Sequence, residues 1–174
     1  MNDATCAGLH IRIATLEDLP VLHPIIERAY RGDSARQGWT HEADLLFDTR
    51  TDMSTLSAII ANPASHLLVA EQDGQPIGCV QITDMGGGRA YLGLLCIEPL
   101  LQAGGLGRNL IEQAEAQARA LFAAKVMTMS VIEQRSELIS YYQRRGYAPT
   151  GQRLDFPIQL DPPFFMTELA KTLA

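Results

Sequence analysis

The chain has 174 residues, of which 47% are hydrophobic and 20% charged, as is ordinary for one globular domain. Its formal net charge of −6 argues against a general nucleic-acid binder, and no apolar run is long enough to span a bilayer. Cys6, Cys79 and Cys96 lack the spacing of a disulfide framework. We therefore predict a cytoplasmic protein with one domain over residues 1–174, of which residues 1–8 are a loose leader.

The N-terminal region predicts a strand followed by a helix. Residues 9–14 alternate between apolar and polar side chains, which is typical of a strand. Thr15 is a candidate helix N-cap, with Asp18 three residues later, and an apolar stripe at helical spacing then runs to Tyr30. Pro24 lies within that stripe, so we predict a break or a restart of the helix there.

The next region predicts a short helix and a hairpin. Residues 31–53 are polar and irregular, and an apolar spacing at residues 56–60 then indicates a helix that ends near Asn62 and Pro63. Two strands, 67–71 and 76–83, are joined by Asp73-Gly74, a pair of residues favoured in two-residue hairpin turns. Three glycines at 86–88 mark the turn into the following strand.

A strand, a glycine-rich turn and a helix follow in that order. Residues 91–97 are almost continuously apolar, which predicts a strand buried on both faces, and Pro99 ends it because proline has no N–H group to donate. Apolar residues from Leu106 to Leu121 recur at helical spacing. Polar residues lie between them, at Glu112, Glu115 and Arg119.

The turn between these elements reads Gln102-Ala-Gly-Gly-Leu-Gly-Arg108. The first turn of a helix has N–H groups without internal partners, and the helix dipole makes that end positive. Glycines let a ligand approach the backbone, so we predict that a phosphate or diphosphate binds there beside Arg108.

The C-terminal region completes a sheet. Residues 126–132 are apolar on both faces and predict a second buried strand, which would lie parallel to the 91–97 strand across one helix. A further helix from Ser136 ends at Gly146, where a left-handed residue is favoured. Residues 164–169 predict the last strand.

Two of these segments resemble the GNAT superfamily of acyl-CoA-dependent N-acyltransferases. Gln102, Gly105 and Gly107 match its Gln/Arg-x-x-Gly-x-Gly/Ala signature, and residues 136–147 are similar to its helix that ends in Tyr-x-x-x-Gly-Phe/Tyr. The first motif is short, but it lies between a strand and a helix, and the second follows in the family's order. The resemblance implies an α/β fold whose central mixed sheet has splayed parallel strands and flanking helices.

The resemblance also implies a cofactor and its binding residues. Acetyl-CoA, or coenzyme A, would be the co-substrate, with its diphosphate on the glycine-rich turn and its pantetheine arm on the end of the preceding strand. The predicted cofactor-binding residues are Cys96, Ile97, Gln102, Ala103, Gly104, Gly105, Leu106, Gly107 and Arg108. The alternative is an ordinary strand-to-helix turn without a ligand.

Tyr142 lies four residues before Gly146, where the resemblance implies the tyrosine that protonates the leaving thiolate. Proton transfer in water from a phenol with a pKa of about 10 to a thiolate near 8.5 is uphill by about 2 kcal/mol. We therefore expect a hydrogen bond that strengthens as charge develops on sulfur. Tyr141 points elsewhere around the helix, and the alternative for both tyrosines is a core role.

Arg135 departs from the family pattern, because the family often has asparagine there. We interpret it as a solvated arginine at the start of the helix; the alternative is an arginine that reaches the cofactor or the acceptor. A cysteine nucleophile is disfavoured, since Cys96 lies in an apolar strand without an apparent base.

The acceptor region is the least determined part of the sequence. The resemblance places residues 31–53 beside the acceptor pocket, where Trp39 and Glu42 are the predicted substrate-binding residues, with His41 as a further candidate base. Glu98 and Asp84 are weaker candidates, and each of these residues has a solvated or structural role as its alternative. No cluster of histidines or carboxylates has ligand spacing, so we predict no metal.

The predicted function is therefore N-acetyl transfer from acetyl-CoA to a primary amine of a small molecule, or of a peptide. The amine would attack the thioester directly in a ternary complex. The alternative is a non-catalytic CoA-binding module of the same fold. We predict no nucleic-acid or membrane partner, and the sequence leaves a homodimer open.

Overall fold

A computed structural model describes residues 8–30, 51–101, 104–157 and 159–173. Over these residues the chain forms one seven-stranded sheet with the order β1-β2-β3-β4-β5-β7-β6. The strands are β1 (Leu9–Ile13), β2 (Ser65–Gln72), β3 (Gln75–Gly86), β4 (Arg89–Ile97), β5 (Val126–Ile132), β6 (Ala148–Asp155) and β7 (Phe165–Thr172). The helices are α1 (Leu19–Tyr30), α2 (Met53–Ala61), α3 (Leu106–Phe122) and α4 (Ser136–Arg144). Among the described helices, none is long and apolar enough to cross a membrane.

The sheet is mixed, as predicted. Neighbouring strands pair antiparallel except β4 and β5, which are parallel and are connected through α3. The parallel pairing covers three positions at the start of the strands and ends at Tyr91 and Thr128. Beyond that point β4 and β5 separate, which confirms the splayed strands that the resemblance implies.

The two faces of the sheet are covered by different helices. Alternate residues of β2 point to opposite faces, so Leu68 belongs to one core cluster and Leu67 to the other. Helices α3 and α4 pack on the first face, and α1 and α2 pack on the second. The splayed gap between β4 and β5 therefore lies between two packed layers of helices.

The predicted break at Pro24 is wrong, because α1 continues through this residue. Pro24 and Pro20 both lie on the exposed side of the helix. The carbonyl that loses its i→i+4 partner is therefore accessible to water, which reduces the cost of the missing N–H group. Burial of the opposite stripe against the sheet offsets the rest; its residues are Leu19, Leu22, Ile25, Ile26 and Ala29.

Glu115 was expected on the polar side of α3, but it is buried, with 6% of its surface exposed. Lys171 of β7 donates to both of its carboxylate oxygens at 3.0 Å, and the Tyr147 hydroxyl donates to Oε1 at 2.9 Å. A buried carboxylate is tolerated when it is paired and hydrogen-bonded in this way. The three residues connect α3, β7 and the end of α4.

An ion-pair network connects β1, β2 and the turn before α1. The Arg12 guanidinium donates to both oxygens of Asp18 at 2.8 and 2.9 Å and to Glu71 at 2.6 Å. Asp18 also accepts from the Thr15 N–H group at 2.7 Å, which is the reciprocal hydrogen bond of a capping box. Hydrogen bonding to Arg12 holds the pKa of Asp18 and the pKa of Glu71 below their usual values.

This network predicts a specific loss of stability in acid. Because the folded-state pKa values of Asp18 and Glu71 are lowered, their contribution is present above the unfolded-state pKa values of about 4 and is lost as the pH falls through the folded-state values. Arg12→Gln should lower the free energy of unfolding by about 1–3 kcal/mol at pH 7, and by less at pH 3. Urea unfolding of both proteins across this pH range measures the difference. An equal effect of the substitution at both pH values would contradict the prediction.

Candidate active site

A cavity of about 440 Å³ opens where β4 and β5 separate. Its walls come from the end of α1, the second half of β4, the start of α3, and α4 with its flanking residues. The lining residues are Ala29, Tyr30, Leu95, Cys96, Ile97, Gly105, Gly107, Arg108, Arg135, Leu138, Tyr141, Tyr142, Arg144 and Arg145. A second hollow of about 100 Å³ between the same strands shares Tyr30, Leu95, Leu138 and Tyr142 with it.

A β-bulge in β4 shapes the wall of the cavity. Between the pairs Gln81↔Gly93 and Cys79↔Cys96, β4 contains one more residue than β3, and Leu94 adopts a positive φ of 47°. The bulge moves Leu94 to the α1 face of the sheet, whereas Leu92 belongs to the core on the α3 face. A bulge interrupts the ladder on one side of β4, and the separation from β5 ends it on the other. Beyond Tyr91, β4 therefore has no ladder to β5 at this wall.

Two contacts hold the bulge in place. The Tyr30 hydroxyl donates to the Leu95 carbonyl at 2.5 Å. The buried Cys79 thiol donates to the Leu94 carbonyl at 3.6 Å, and its sulfur lies 3.4 Å from that of Cys96. Neither of these two cysteines forms a disulfide, and Cys96 contacts another thiol rather than a base, as the sequence predicts. β4 buries residues on both faces, as predicted, with Leu92 and Ile97 in one core cluster and Leu94 and Cys96 in the other, while Tyr91, Gly93 and Leu95 are half-exposed.

The predicted phosphate loop leads directly into α3. Gly105 is the N-cap residue with φ of 84°, a left-handed conformation that glycine adopts without strain, and the Asn109 N–H group donates to its carbonyl at 3.1 Å. The N–H groups of the first helical turn have no partner within the helix. The Leu106 side chain is buried in the core, and Leu106 is not part of the cavity wall. Gly104 is exposed but is not part of the cavity wall, and Gln102 and Ala103 lie outside the described residues.

Four arginines line the cavity. Arg108 is exposed and pairs with Glu112 at 2.9 Å, one turn further along α3. The interpretation of Arg135 as a solvated residue is wrong, because only 3% of it is exposed and its Nε donates to Glu137 at 3.2 Å. Arg135 lies where β5 ends and α4 begins, so the separation of the strands turns it into the cavity. No periodic pattern in the sequence indicates this burial.

Tyr142 lies at the junction of the two hollows and is 6% exposed. Its ring makes edge contacts with Tyr141 at 5.5 Å and with Tyr147 at 6.1 Å. Burial, followed by the nearby Glu115 carboxylate, raises the pKa of Tyr147, whose hydroxyl donates to Glu115 and is not part of either hollow. Of the three neighbouring tyrosines, Tyr142 is the one that reaches both hollows.

The candidate acceptor residues that the structure describes, Glu98 and Asp84, do not line the cavity. Trp39, His41 and Glu42 lie outside the described residues. Both oxygens of Glu98 accept from Arg28, at 2.9 and 2.7 Å, so this carboxylate belongs to an ion pair. Asp84 is exposed and accepts from the Gly86 N–H group in the hairpin turn. Among residues 8–30, 51–101, 104–157 and 159–173, no group of three or more metal-ligand side chains is close enough to hold an ion.

The sequence profile of the acetyltransferase (GNAT) family matches residues 25–147. The chain belongs to this family. The match begins within α1 and ends at Tyr147, so it includes the splayed strands, the glycine loop and Tyr142. The sequence-based assignment to an acyl-CoA-dependent family of acetyltransferases is confirmed.

Individual proteins that are similar to this chain are also acetyltransferases. An IAA acetyltransferase of Azospirillum brasilense is 31% identical over 101 residues, which is 58% of this chain and 63% of that relative. The chain thus spans less than two thirds of the length of the curated relative that it matches. The ribosomal-protein-S18-alanine N-acetyltransferase of Escherichia coli superposes with a TM-score of 0.74 at 15% identity, covering 95% of this chain and 94% of that one.

A further similar structure was solved with a ligand. It is yncA from Salmonella typhimurium with its cofactor acetyl-CoA, with a TM-score of 0.71 and 18% identity, covering 95% of this chain and 94% of that one. At these identities the two structural neighbours support the fold, and the mixed sheet with its flanking helices is confirmed as a GNAT fold.

The close contact between Gly107 and Tyr141 generates a prediction about the loop. A Cβ atom at position 107 would lie 2.9 Å from the Tyr141 hydroxyl, and the next ring atom would be 3.9 Å away. The effect of Gly107→Ala on the free energy of unfolding should therefore be more favourable, by about 1 kcal/mol, in a Tyr141→Phe background than in the natural chain. Urea unfolding of the two single variants and the double variant measures this coupling. Strictly additive free energies would mean that the hydroxyl does not restrict the loop.

Proposed function

We propose that this protein is an N-acetyltransferase that transfers an acetyl group from acetyl-CoA to a primary amine of a small molecule, or of a peptide. The observation that carries the proposal is the position of Tyr142, at the junction between the cavity beside the glycine loop and the second hollow of the same gap. A thioester bound along the loop and an amine on the other side would meet at this side chain.

The loop and β4 supply the groups that coenzyme A requires. The N–H groups of residues 104–108 at the positive end of α3 suit a diphosphate, and Arg108 adds a full charge beside them. The end of β4 at Cys96 and Ile97 lines the cavity beyond its pairing with β5, where a pantetheine arm could lie along the strand.

Tyr142 would assist departure of the thiolate. Its hydroxyl is held in a buried position, so a hydrogen bond to sulfur would strengthen as negative charge develops there. The amine must be neutral to attack, and an amine with a pKa of about 10.4 is neutral about one part in a thousand near pH 7.4, a penalty of about 4 kcal/mol. We assign no base among the described residues, since Glu98 is engaged by Arg28.

The remaining partner assignments are part of the same proposal. Trp39 and Glu42 would bind the acceptor amine through an aromatic face and a carboxylate. A cytoplasmic location fits the free thiols of Cys79 and Cys96, which persist in a reducing compartment. A homodimer stays a prediction.

Two measurements test the proposal with the full chain. Isothermal titration with coenzyme A and acetyl-CoA should give saturable binding of both. Thiol release should then appear with at least one member of a panel of alkylamines, arylalkylamines, amino acids and peptides. Binding without turnover across the panel would favour the non-catalytic CoA-binding module, and the absence of binding would overturn both functions.

Tyr142→Phe separates a catalytic role from a packing role. We expect turnover to fall about 100-fold, because the hydroxyl acts on the leaving group, while the dissociation constant of coenzyme A changes less than about threefold. Steady-state kinetics and titration of the same preparation give the two values. Tyr147→Phe is the matched control, because the Tyr147 hydroxyl bonds Glu115 outside the cavity. This substitution should lower the free energy of unfolding while turnover changes little. Equal losses of turnover and binding in Tyr142→Phe would remove the catalytic assignment.

A further inference from the structure

Arg145 lines the cavity, and among the described residues no carboxylate pairs with its guanidinium. Its Nε atom is buried, and within the described part of the chain it has no hydrogen-bond partner. A buried donor without a partner destabilises the fold, so such an atom calls for a physical reason. Arg145 follows the last turn of α4, where the helix dipole favours a cation, but the dipole does not require Nε to be buried.

Tyr141 holds Arg145 in this position. The guanidinium carbon lies 4.6 Å from the centre of the Tyr141 ring, over its face. Stacking on an aromatic ring fixes the plane of an arginine and leaves its edge free to donate hydrogen bonds. The side chain is therefore oriented before any ligand arrives, which lowers the entropy cost of binding one.

The same tyrosine places the arginine beside the phosphate loop. The Tyr141 hydroxyl lies where a Cβ atom of residue 107 would be only 2.9 Å away, so the tyrosine contacts the first turn of α3. Arg145 stands over the ring of Tyr141 and not at the hydroxyl end that contacts this turn. The two positive regions are therefore adjacent but distinct.

Charge compensation differs among the cavity arginines. Arg108 pairs with Glu112, and Arg135 with Glu137. Within the residues that the structure describes, Arg145 lines the cavity and stacks on the Tyr141 ring, and no carboxylate pairs with it. Arg144 lines the cavity next to it. A phosphomonoester carries a charge of about −1.5 to −2 near pH 7, which matches two adjacent arginines.

We propose that Tyr141 and Arg145 form a second anion subsite, which binds the 3′-phosphate on the ADP moiety of coenzyme A. This inference rests on the proposed function, in which the loop amides at residues 104–108 take the diphosphate. The subsite would make the protein discriminate coenzyme A from dephospho-coenzyme A, which keeps the diphosphate and the pantetheine arm but lacks the 3′-phosphate. A guanidinium recognises a phosphate through paired, charge-assisted hydrogen bonds.

The test compares the two ligands in matched variants of the full chain. The natural protein should bind coenzyme A about tenfold more tightly than dephospho-coenzyme A in isothermal titration at low salt. Arg145→Gln should abolish this ratio by weakening coenzyme A, while the affinity for dephospho-coenzyme A stays the same. Arg119→Gln is the control, because it removes an exposed arginine from the last turn of α3 and should preserve the ratio.

A second variant removes the Tyr141 ring and keeps the charge of Arg145. Tyr141→Leu leaves Arg145 in the chain but without its stacking partner, so the ratio should fall here too, and circular dichroism verifies that both variants are folded. Equal affinity of the natural protein for the two ligands would overturn the subsite, as would equal weakening of both ligands in Arg145→Gln. In those cases the proposed function stands, because both ligands still bind. If neither ligand binds the natural protein, the proposed function fails and the subsite fails with it.

Discussion

The site depends on the point where β4 and β5 cease to pair. Three residue pairs join these strands, and after Tyr91 and Thr128 their main chains diverge. A parallel strand inside a sheet would normally use all of its N–H and C=O groups in the ladder. Here the divergence, together with the bulge at Leu94, places the second half of β4 beside a cavity between two layers of helices. The sheet remains stable because the opposite edge of β4 still pairs with β3 on either side of the bulge, and β5 pairs with β7 along its length.

Charge is distributed unevenly over this molecule. The chain as a whole is acidic, with a formal net charge of −6, yet four arginines line the cavity. Two of them are held by neighbouring carboxylates, which orients the side chains and reduces the repulsion among them. A local positive region on an acidic protein attracts an anionic ligand to one place and disfavours extended polyanions elsewhere. This arrangement suits a compact, highly charged carrier such as coenzyme A better than nucleic acid.

The errors of the sequence-based predictions have a common origin. Pro24, Glu115 and Arg135 were interpreted from local rules, which assign proline to breaks and charged residues to water. Tertiary partners override those rules: packing of one face retains α1, Lys171 and Tyr147 satisfy Glu115, and the separating strands enclose Arg135. Strand β6 was missed for a related reason. All eight of its residues are exposed, so it lacks the alternation by which a half-buried strand is identified.

The sequence by itself determined the order of the elements around the site and the chemistry of the loop. Apolar runs, glycines and helical spacing act over a few residues, and they predict β4, the turn at Gly105, α3, β5 and the end of α4 at Gly146. Only the tertiary structure decided which side chains face the cavity, because that depends on where two strands part and on how α4 is rotated against them. Tyr141 and Tyr142 are neighbours in the chain, but one contacts the loop and supports Arg145 while the other lies between the two hollows. The spacing to Gly146 singled out Tyr142 through the resemblance, but the surface that each ring contacts is set by residues that are far apart in sequence.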